Sequence, residues 1–273
     1  MARHGPDARW LAGGTDVLVD LKTGRISAGH LISLGRIDCL HGISETGEGL
    51  CIGALTTITD LCRSPLVCEK YSPILDAGRQ MAAQQIRNMA TVGGNITSAV
   101  PCADLPPILE VMNASITLWC REGERRVPLD SFFTGPRQTL RQSHEVLTAI
   151  HVPRMPQGSG AAYARFAQRA GNAIAVAGVA ASLSLGGDGV VQEARVALNA
   201  VAPIPRLVPE AEAVLVGNRP DENAVQAAAE AARAAAEPIN DVRGSADFRR
   251  DLVETLARRA VRSAHERAKE ATA

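Results

Sequence analysis

The residues with most to offer a ligand in this chain are two glycine pairs. Gly13-Gly14 is followed by Thr15-Asp16, and Gly93-Gly94 by Asn95, with Thr91, Thr97 and Ser98 close by. Glycine has no Cβ to hold a ligand off and tolerates positive φ, so such turns let main-chain N–H groups close on an anion. One pair alone is ordinary punctuation. Two pairs, flanked by short hydroxyl and amide side chains and by no lysine, suit a diphosphate that bridges two loops. No Gly-Lys-Ser or Gly-Lys-Thr follows either pair, which disfavours hydrolysis of a nucleoside triphosphate, and neither a Gly-x-Gly-x-x-Gly run nor a surrounding βαβ unit marks a Rossmann site. Asp104, ten residues beyond Gly94, has two readings: an acceptor for sugar or ribityl hydroxyls, or the N-cap of a helix that starts at Leu105.

Catalysis by side chains is not expected. His4, His30, His41, His144, His151 and His265 show no convergence, and no Ser-His-Asp or Cys-His arrangement stands out. Cys39, Cys51, Cys62, Cys68, Cys102 and Cys120 lack both a Cys-x-x-Cys pair and histidines at ligand spacing, so they read as ordinary thiols and no metal or iron–sulfur site is expected.

The elements that must position the glycine pairs follow from periodicity and punctuation. Residues 9–12 suit a strand that runs into the turn 13–16, and residues 17–22 a short helix. Residues 30–34 and 50–54 are β-rich and are expected to be neighbouring strands, bounded by a turn-forming stretch at 44–49. Helices are expected over 57–63 and 73–81. Residues 86–96, which hold the second glycine pair, predict loop rather than helix. A helix at 105–112, a strand at 115–120 turning at 122–124, and a strand at 146–152 complete the first half. Two prolines and two glycines within 153–160 make that stretch the best linker. Domains are therefore expected over 1–153 and 161–273. In the second, strands are expected at 161–169, 173–185 and 191–201, with a hairpin turn at 186–189. Helices follow at 221–236, rich in alanine, and at 247–269, whose arginines Arg249, Arg250, Arg258, Arg259, Arg262 and Arg267 read as a solvated face.

Composition narrows the partners. The 29 basic and 29 acidic side chains cancel over 273 residues, leaving no global positive field for nucleic acid or an anionic membrane. No run approaches the roughly 18 apolar residues of a membrane span, and the N-terminus lacks a secretion pattern, so a cytoplasmic protein is expected.

These residues carry a family resemblance. Leu11-Ala12-Gly13-Gly14-Thr15-Asp16, Ile52-Gly53-Ala54-Leu55-Thr56-Thr57, Ala90-Thr91-Val92-Gly93-Gly94-Asn95-Ile96 and Cys102-Ala103-Asp104-Leu105-Pro106-Pro107 together resemble the FAD-binding medium subunit of the xanthine dehydrogenase and carbon monoxide dehydrogenase family of molybdenum hydroxylases. Phe132-Phe133-Thr134-Gly135, Glu145-Val146-Leu147 and Ile150-His151-Val152-Pro153 are similar to the end of that family's flavin domain. Ala173 to Ala180, and Asp241-Val242-Arg243 with Phe248-Arg249, are similar to its C-terminal domain.

The resemblance implies an α+β fold: a two-lobed PCMH-type FAD-binding domain, then a smaller α+β domain with a three-stranded sheet and helices. It implies that Ala12, Gly13, Gly14, Thr15 and Asp16, with Thr91, Gly93, Gly94 and Asn95, wrap the FAD diphosphate. Thr97 and Asp104 would reach the cofactor's hydroxyls, Lys22 would close the first motif, and Leu147 and Arg165 would lie near the flavin. It further implies a large partner chain with molybdopterin, a small one with two 2Fe-2S clusters, and a dimer of such heterotrimers. Electrons would leave for NAD⁺, oxygen or a quinone-type acceptor. The Thr15-Asp16 form of the first motif points to a purine or other N-heterocycle as substrate of the complex, with carbon monoxide or aldehyde dehydrogenation as the alternative. Two rivals are a self-contained flavin oxidoreductase, for which four Phe, two Tyr and two Trp leave little to build a substrate pocket, and a flavin-free scaffold. There are two departures. Only about ten residues precede the first glycine motif where relatives carry a further strand and helix, so the N-terminus reads as shortened or its start as assigned late. The cysteine-bearing insertion of some aryl-CoA-reducing relatives is absent.

Overall fold

The computed structural model describes residues 4–271. Residues 1–3 and 272–273, the outermost residues of the two expected domains and the end on which the expected shortening turns, lie outside the described residues. The first lobe is β1 (Ala8–Leu11), α1 (Val17–Lys22) and β2 (His30–Ser33), with β1 and β2 parallel. This is a small βαβ unit, which the sequence reading had excluded around Gly13-Gly14. Its strand, helix and strand were each expected; the parallel pairing of β2 with β1 is a contact through space that none of the three announces.

The second lobe holds β3 (Ile43–Thr46), β4 (Gly49–Gly53), then α2 (Ile58–Arg63), α3 (Pro65–Lys70), α4 (Pro73–Gly78), α5 (Gln84–Arg87), α6 (Val92–Thr97) and α7 (Leu105–Val111). It closes with β5 (Ser115–Cys120), β6 (Gly123–Pro128), β7 (Phe133–Gly135), β8 (Gln138–Thr139) and β9 (Val146–Pro153). Five of these strands form an antiparallel sheet in the order β3-β4-β9-β5-β6, with Ile52 opposite Ile150 and Ile116 opposite Ile150 on the other side. The expected pairing of 30–34 with 50–54 is therefore corrected: β2 pairs with β1, and β4 lies between β3 and β9. The stretch read as turn at 44–49 contributes β3 and only then turns, because Ile43 to Thr46 finds a partner in β4.

The stretch 86–96 is not loop throughout: residues 86–87 end α5 and residues 92–96, with the second glycine pair, lie in α6. Thr91 caps α6 by accepting from the Gly94 N–H at 3.1 Å, and the N–H groups of Val92 and Gly93 bond to Thr56 and Ala54 carbonyls at 3.0 and 2.9 Å. Tertiary contact outweighs the roughly 1 kcal/mol that each glycine costs in a helix.

The C-terminal domain is β10 (Ser159–Phe166), β11 (Ala177–Leu185), β12 (Val191–Asn199) and the two-residue β13 (Arg206–Leu207), then α8 (Pro209–Leu215), α9 (Glu222–Ala235) and α10 (Ala246–Glu270). The sheet has four antiparallel strands where three were expected, since β13 is too short to show a period. Residues 173–176 precede β11 instead of joining it. Both sheet faces are covered and apolar, with successive residues of a strand serving the two faces in turn. Ala161, Tyr163, Ala180 and Ala197 continue the second lobe's core, whereas Ala162, Val179, Ala181 and Leu183 pack with the buried sides of α8, α9 and α10. Alanine on facing surfaces lets helix and sheet approach closely. Asp221 and Ser245 cap α9 and α10 through the N–H groups of Ala224 and Phe248. Two arginines expected on a solvated face are instead engaged inside. Arg249 is buried and donates to the carbonyls of Val176 and Ala200, and Arg267 pairs with Asp76 of α4 at 2.6 and 2.9 Å.

Helix α7 forms the seam between the domains, packing on β10, β11 and β12. Glu110 sits in it, 2% exposed, with neither carboxylate oxygen hydrogen-bonded among the described residues. Burial, with Asp130 adding a smaller push, raises its pKa from 4.5 to about 8. A folded pKa above the unfolded one means the unfolded chain ionises first. Stability therefore falls as pH rises from about 4.5 to about 8 and is level above that. Glu110→Gln should melt higher than the parent near pH 8.5, by up to about 5 kcal/mol at 1.36 kcal/mol per pKa unit, with the advantage shrinking towards pH 5. Thermal unfolding at the two pH values checks this, and an advantage of equal size at both would count against a neutral Glu110.

Candidate functional site

A cleft of about 590 Å³ opens between the two lobes, within the size range of small-molecule and cofactor sites. Its floor is formed by Leu34, Leu55 and Val146, which cluster with Leu40 beneath them and with Trp10 and Ala12 packed against them. Two backbone approaches create the cleft. A Cβ on Gly13 would fall 1.8 Å from the Met89 carbonyl oxygen, so only glycine lets the first loop rest on the chain leading into α6. A Cβ on Gly93 would fall 2.7 Å from the Ala54 Cβ, so only glycine lets α6 lie against the end of β4. Between them the structure brings Ala12, Gly13, Gly14, Thr15 and Asp16 together with Thr91, Gly93, Gly94, Asn95, Thr97 and Leu147 around one cavity.

The two motifs present different chemistry. In the first, Gly14 has φ +77°, and the N–H groups of Gly13, Gly14, Thr15 and Asp16 donate to no other group of the chain among the described residues. They are a set of free donors at the cleft wall. In the second, the helix consumes the N–H groups, and what remains for a ligand is the open space over Gly94 and the side chain of Asn95. A Cβ on Gly94 would have only the Thr91 hydroxyl within 4 Å. Two buried polar atoms on the cleft lining, Trp10 Nε1 and Asn95 Oδ1, have no partner among the described residues. A buried donor and a buried acceptor left unpaired cost free energy unless a ligand meets them.

Three arginines that the sequence reading missed also line the cleft. Arg25 and Arg137 both pair with the buried carboxylate of Asp20, Arg137 at 2.7 Å, and this contact joins α1 to the β7–β8 hairpin across the cleft. The trio keeps one net positive charge. Arg141 donates to the carbonyls of Gln142 and Glu145 at 3.0 and 2.8 Å, and burial lowers its pKa from the usual arginine value. Glu145, the acidic group beside it, is occupied by Arg125 at 2.6 and 2.9 Å, and that hydrogen bonding holds its carboxyl below the usual range. The cleft therefore offers free amide donors and arginine charge to an anion, together with an apolar floor. Arg137 follows the Phe-Phe-Thr-Gly-Pro run that carried part of the resemblance, but its placement depends on a positive φ of 59°, which no residue type there signals.

Three sequence-derived site residues are not among the cleft's lining residues. Lys22 ends α1 without reaching the cavity. Asp104 stands at the N-cap position of α7 but its side chain makes no cap bond. Its carboxylate pairs instead with Arg165 at 2.7 Å and accepts from the Tyr163 hydroxyl at 2.8 Å, in a buried seam between the two domains. Burial raises the Asp104 carboxyl above its ordinary value against the opposing influence of Arg165 and Tyr163. Arg165 is thereby turned away from the cleft, to Asp104 and the Ala173 carbonyl. The reason is charge pairing: a guanidinium and a carboxylate this deeply buried satisfy each other before either can serve a ligand.

The donor set fits a dinucleotide with a diphosphate bridge, and comparison with known proteins points the same way. Residues 1–155 match the family model described as FAD binding domain in molybdopterin dehydrogenase, and residues 162–264 match CO dehydrogenase flavoprotein C-terminal domain. The carbon monoxide dehydrogenase medium chain of Hydrogenophaga pseudoflava is 37% identical over 97% of this chain and 91% of its own length. The xanthine dehydrogenase FAD-binding subunit of Escherichia coli is 31% identical over 95% of this chain and 89% of its own. A solved structure of carbon monoxide dehydrogenase from Hydrogenophaga pseudoflava superposes with a TM-score of 0.94, covering 97% of this chain and 92% of that one.

Proposed function

Because this chain belongs to the FAD-binding medium subunits of the molybdenum hydroxylase family, we propose that it relays electrons from the 2Fe-2S clusters of a small partner chain to NAD⁺ or another acceptor. The molybdopterin site where substrate is oxidised belongs to a large partner chain, and the whole is a dimer of heterotrimers. The observation that carries the reading is the row of unpaired N–H groups from Gly13 to Asp16 facing the Gly94 and Asn95 wall. Bound FAD supplies the junction between one-electron and two-electron transfer.

The chain's own residues bind and orient. The 13–16 loop donates to the diphosphate, Arg25 and Arg137 offset its charge, Trp10 and Asn95 present a donor and an acceptor, and Leu147 with Leu55 and Val146 forms a dry floor. No side chain of this chain is assigned a proton-transfer role. The test is reconstitution: the deflavinated chain incubated with FAD should recover a flavin absorption spectrum in one-to-one ratio. A chain that takes up no flavin would leave the scaffold reading in its place.

The oxidised substrate is chosen by the large chain. Thr15-Asp16 supports a purine or other N-heterocycle. The higher identity to a carbon monoxide dehydrogenase medium chain, 37% against 31% for the xanthine dehydrogenase subunit, favours carbon monoxide as a second reading. Mass spectrometry of the large chain that co-purifies, followed by turnover of each substrate, separates them. No helix of the described residues is long and apolar enough to cross a membrane, and the proposed setting is the cytoplasm.

A further inference from the structure

Cys120, Glu122 and His144 have no metal-ligand spacing in the sequence, yet their Sγ, carboxylate oxygen and imidazole nitrogen lie within 4.8 Å of one another. The five-stranded sheet brings them there. Cys120 ends β5 and pairs with Gly123 across a two-residue turn that contains Glu122. Strand β9 runs beside β5 with Val146 opposite Trp119, which sets His144, two residues earlier, against the tip of that hairpin. Cys120 is half-buried, and Glu122 and His144 are exposed. The donors are thus presented by backbone that the sheet holds, and they are open to an ion from solvent.

We propose that Cys120, Glu122 and His144 form a binding site for a zinc-class divalent cation, with solvent completing a four-coordinate shell. One thiolate, one imidazole and one carboxylate is a donor set that zinc accepts, whereas magnesium and calcium require oxygen ligands throughout. On binding, the thiol proton leaves to solvent and a sulfur–metal bond replaces the S–H bond. The guanidinium of Arg125, on the same hairpin, is already held by both oxygens of Glu145. The site also bears on the cleft. Ser143 and Glu145, the neighbours of His144, line the cofactor cavity, so an ion on His144 fastens that part of its wall.

The test is calorimetric titration of the full-length chain with Zn²⁺, paired with Co²⁺ as a spectroscopic substitute that shows a thiolate charge-transfer band when sulfur ligates it. One equivalent of Zn²⁺ and that band are expected. Cys120→Ser and His144→Ala should each weaken binding by about tenfold or more, while a Cys39→Ser/Cys68→Ser variant, which removes two exposed thiols elsewhere, should bind as the parent does. Absence of zinc binding in the parent overturns the proposal. So does binding undiminished in Cys120→Ser and His144→Ala, and so does its loss in the Cys39→Ser/Cys68→Ser variant.

Discussion

Gly94→Val is expected to yield a folded chain that no longer holds flavin. The space beyond the Gly94 Cα is open cleft apart from the Thr91 hydroxyl, which a Cβ would approach to 2.8 Å. Valine would displace that hydroxyl from its cap on α6, a loss of about 1 kcal/mol, which a domain of this size tolerates. Its two methyl groups would then occupy the path of the diphosphate. Affinity for FAD should fall at least about a hundredfold, or about 3 kcal/mol, read as flavin bound per chain after gel filtration. Retention of a full complement of flavin would remove Gly94 from the cofactor site. Gly93→Ala makes the contrast. Its Cβ would strike Ala54 rather than the ligand, so it should lower the melting temperature as its first effect.

Arg165→Met should be the most destabilising change in the seam between the domains. Asp104 and Arg165 have side chains 7% and 3% exposed, and Tyr163 bonds to both Asp104 and Asn199 in the same network. Removing the guanidinium leaves a buried carboxylate with one hydroxyl donor, a loss of about 3–5 kcal/mol. Adding Asp104→Asn should recover much of it, because the uncompensated charge is gone. Denaturant midpoints of the parent, both single variants and the double variant form the cycle that checks this. The double variant should also bind FAD as the parent does, since neither residue lines the cleft. A folded double variant that had lost its flavin would restore the cofactor role that the sequence assigned to this pair.

Much of the site was legible before any fold was known. Gly13-Gly14-Thr15-Asp16 and Thr91 to Thr97 announce themselves because close backbone approach admits almost no residue but glycine, and because short polar side chains cluster around it. The family resemblance then supplied the order of the lobes. The reading failed where the second glycine pair was taken as loop, since intrinsic propensity sees the cost of two glycines in α6 but not the Ala54 and Thr56 carbonyls that its first N–H groups meet. It also gave no sign that Asp104 and Arg165, 61 residues apart, pair with each other, because such a contact leaves no local trace.

By itself, then, the sequence pointed to two glycine loops suited to an anionic dinucleotide and to a second α+β unit that follows them. Those properties are local: they rest on which residues permit positive φ, cap a helix or alternate along a strand. The tertiary structure alone decided which polar groups remain free for a ligand. Arg25, Arg137 and Arg141 became cleft residues, Asp104 and Arg165 were spent on each other, and Cys120, Glu122 and His144 became neighbours. Charge pairing and strand register act through space, and separation along the chain does not encode them.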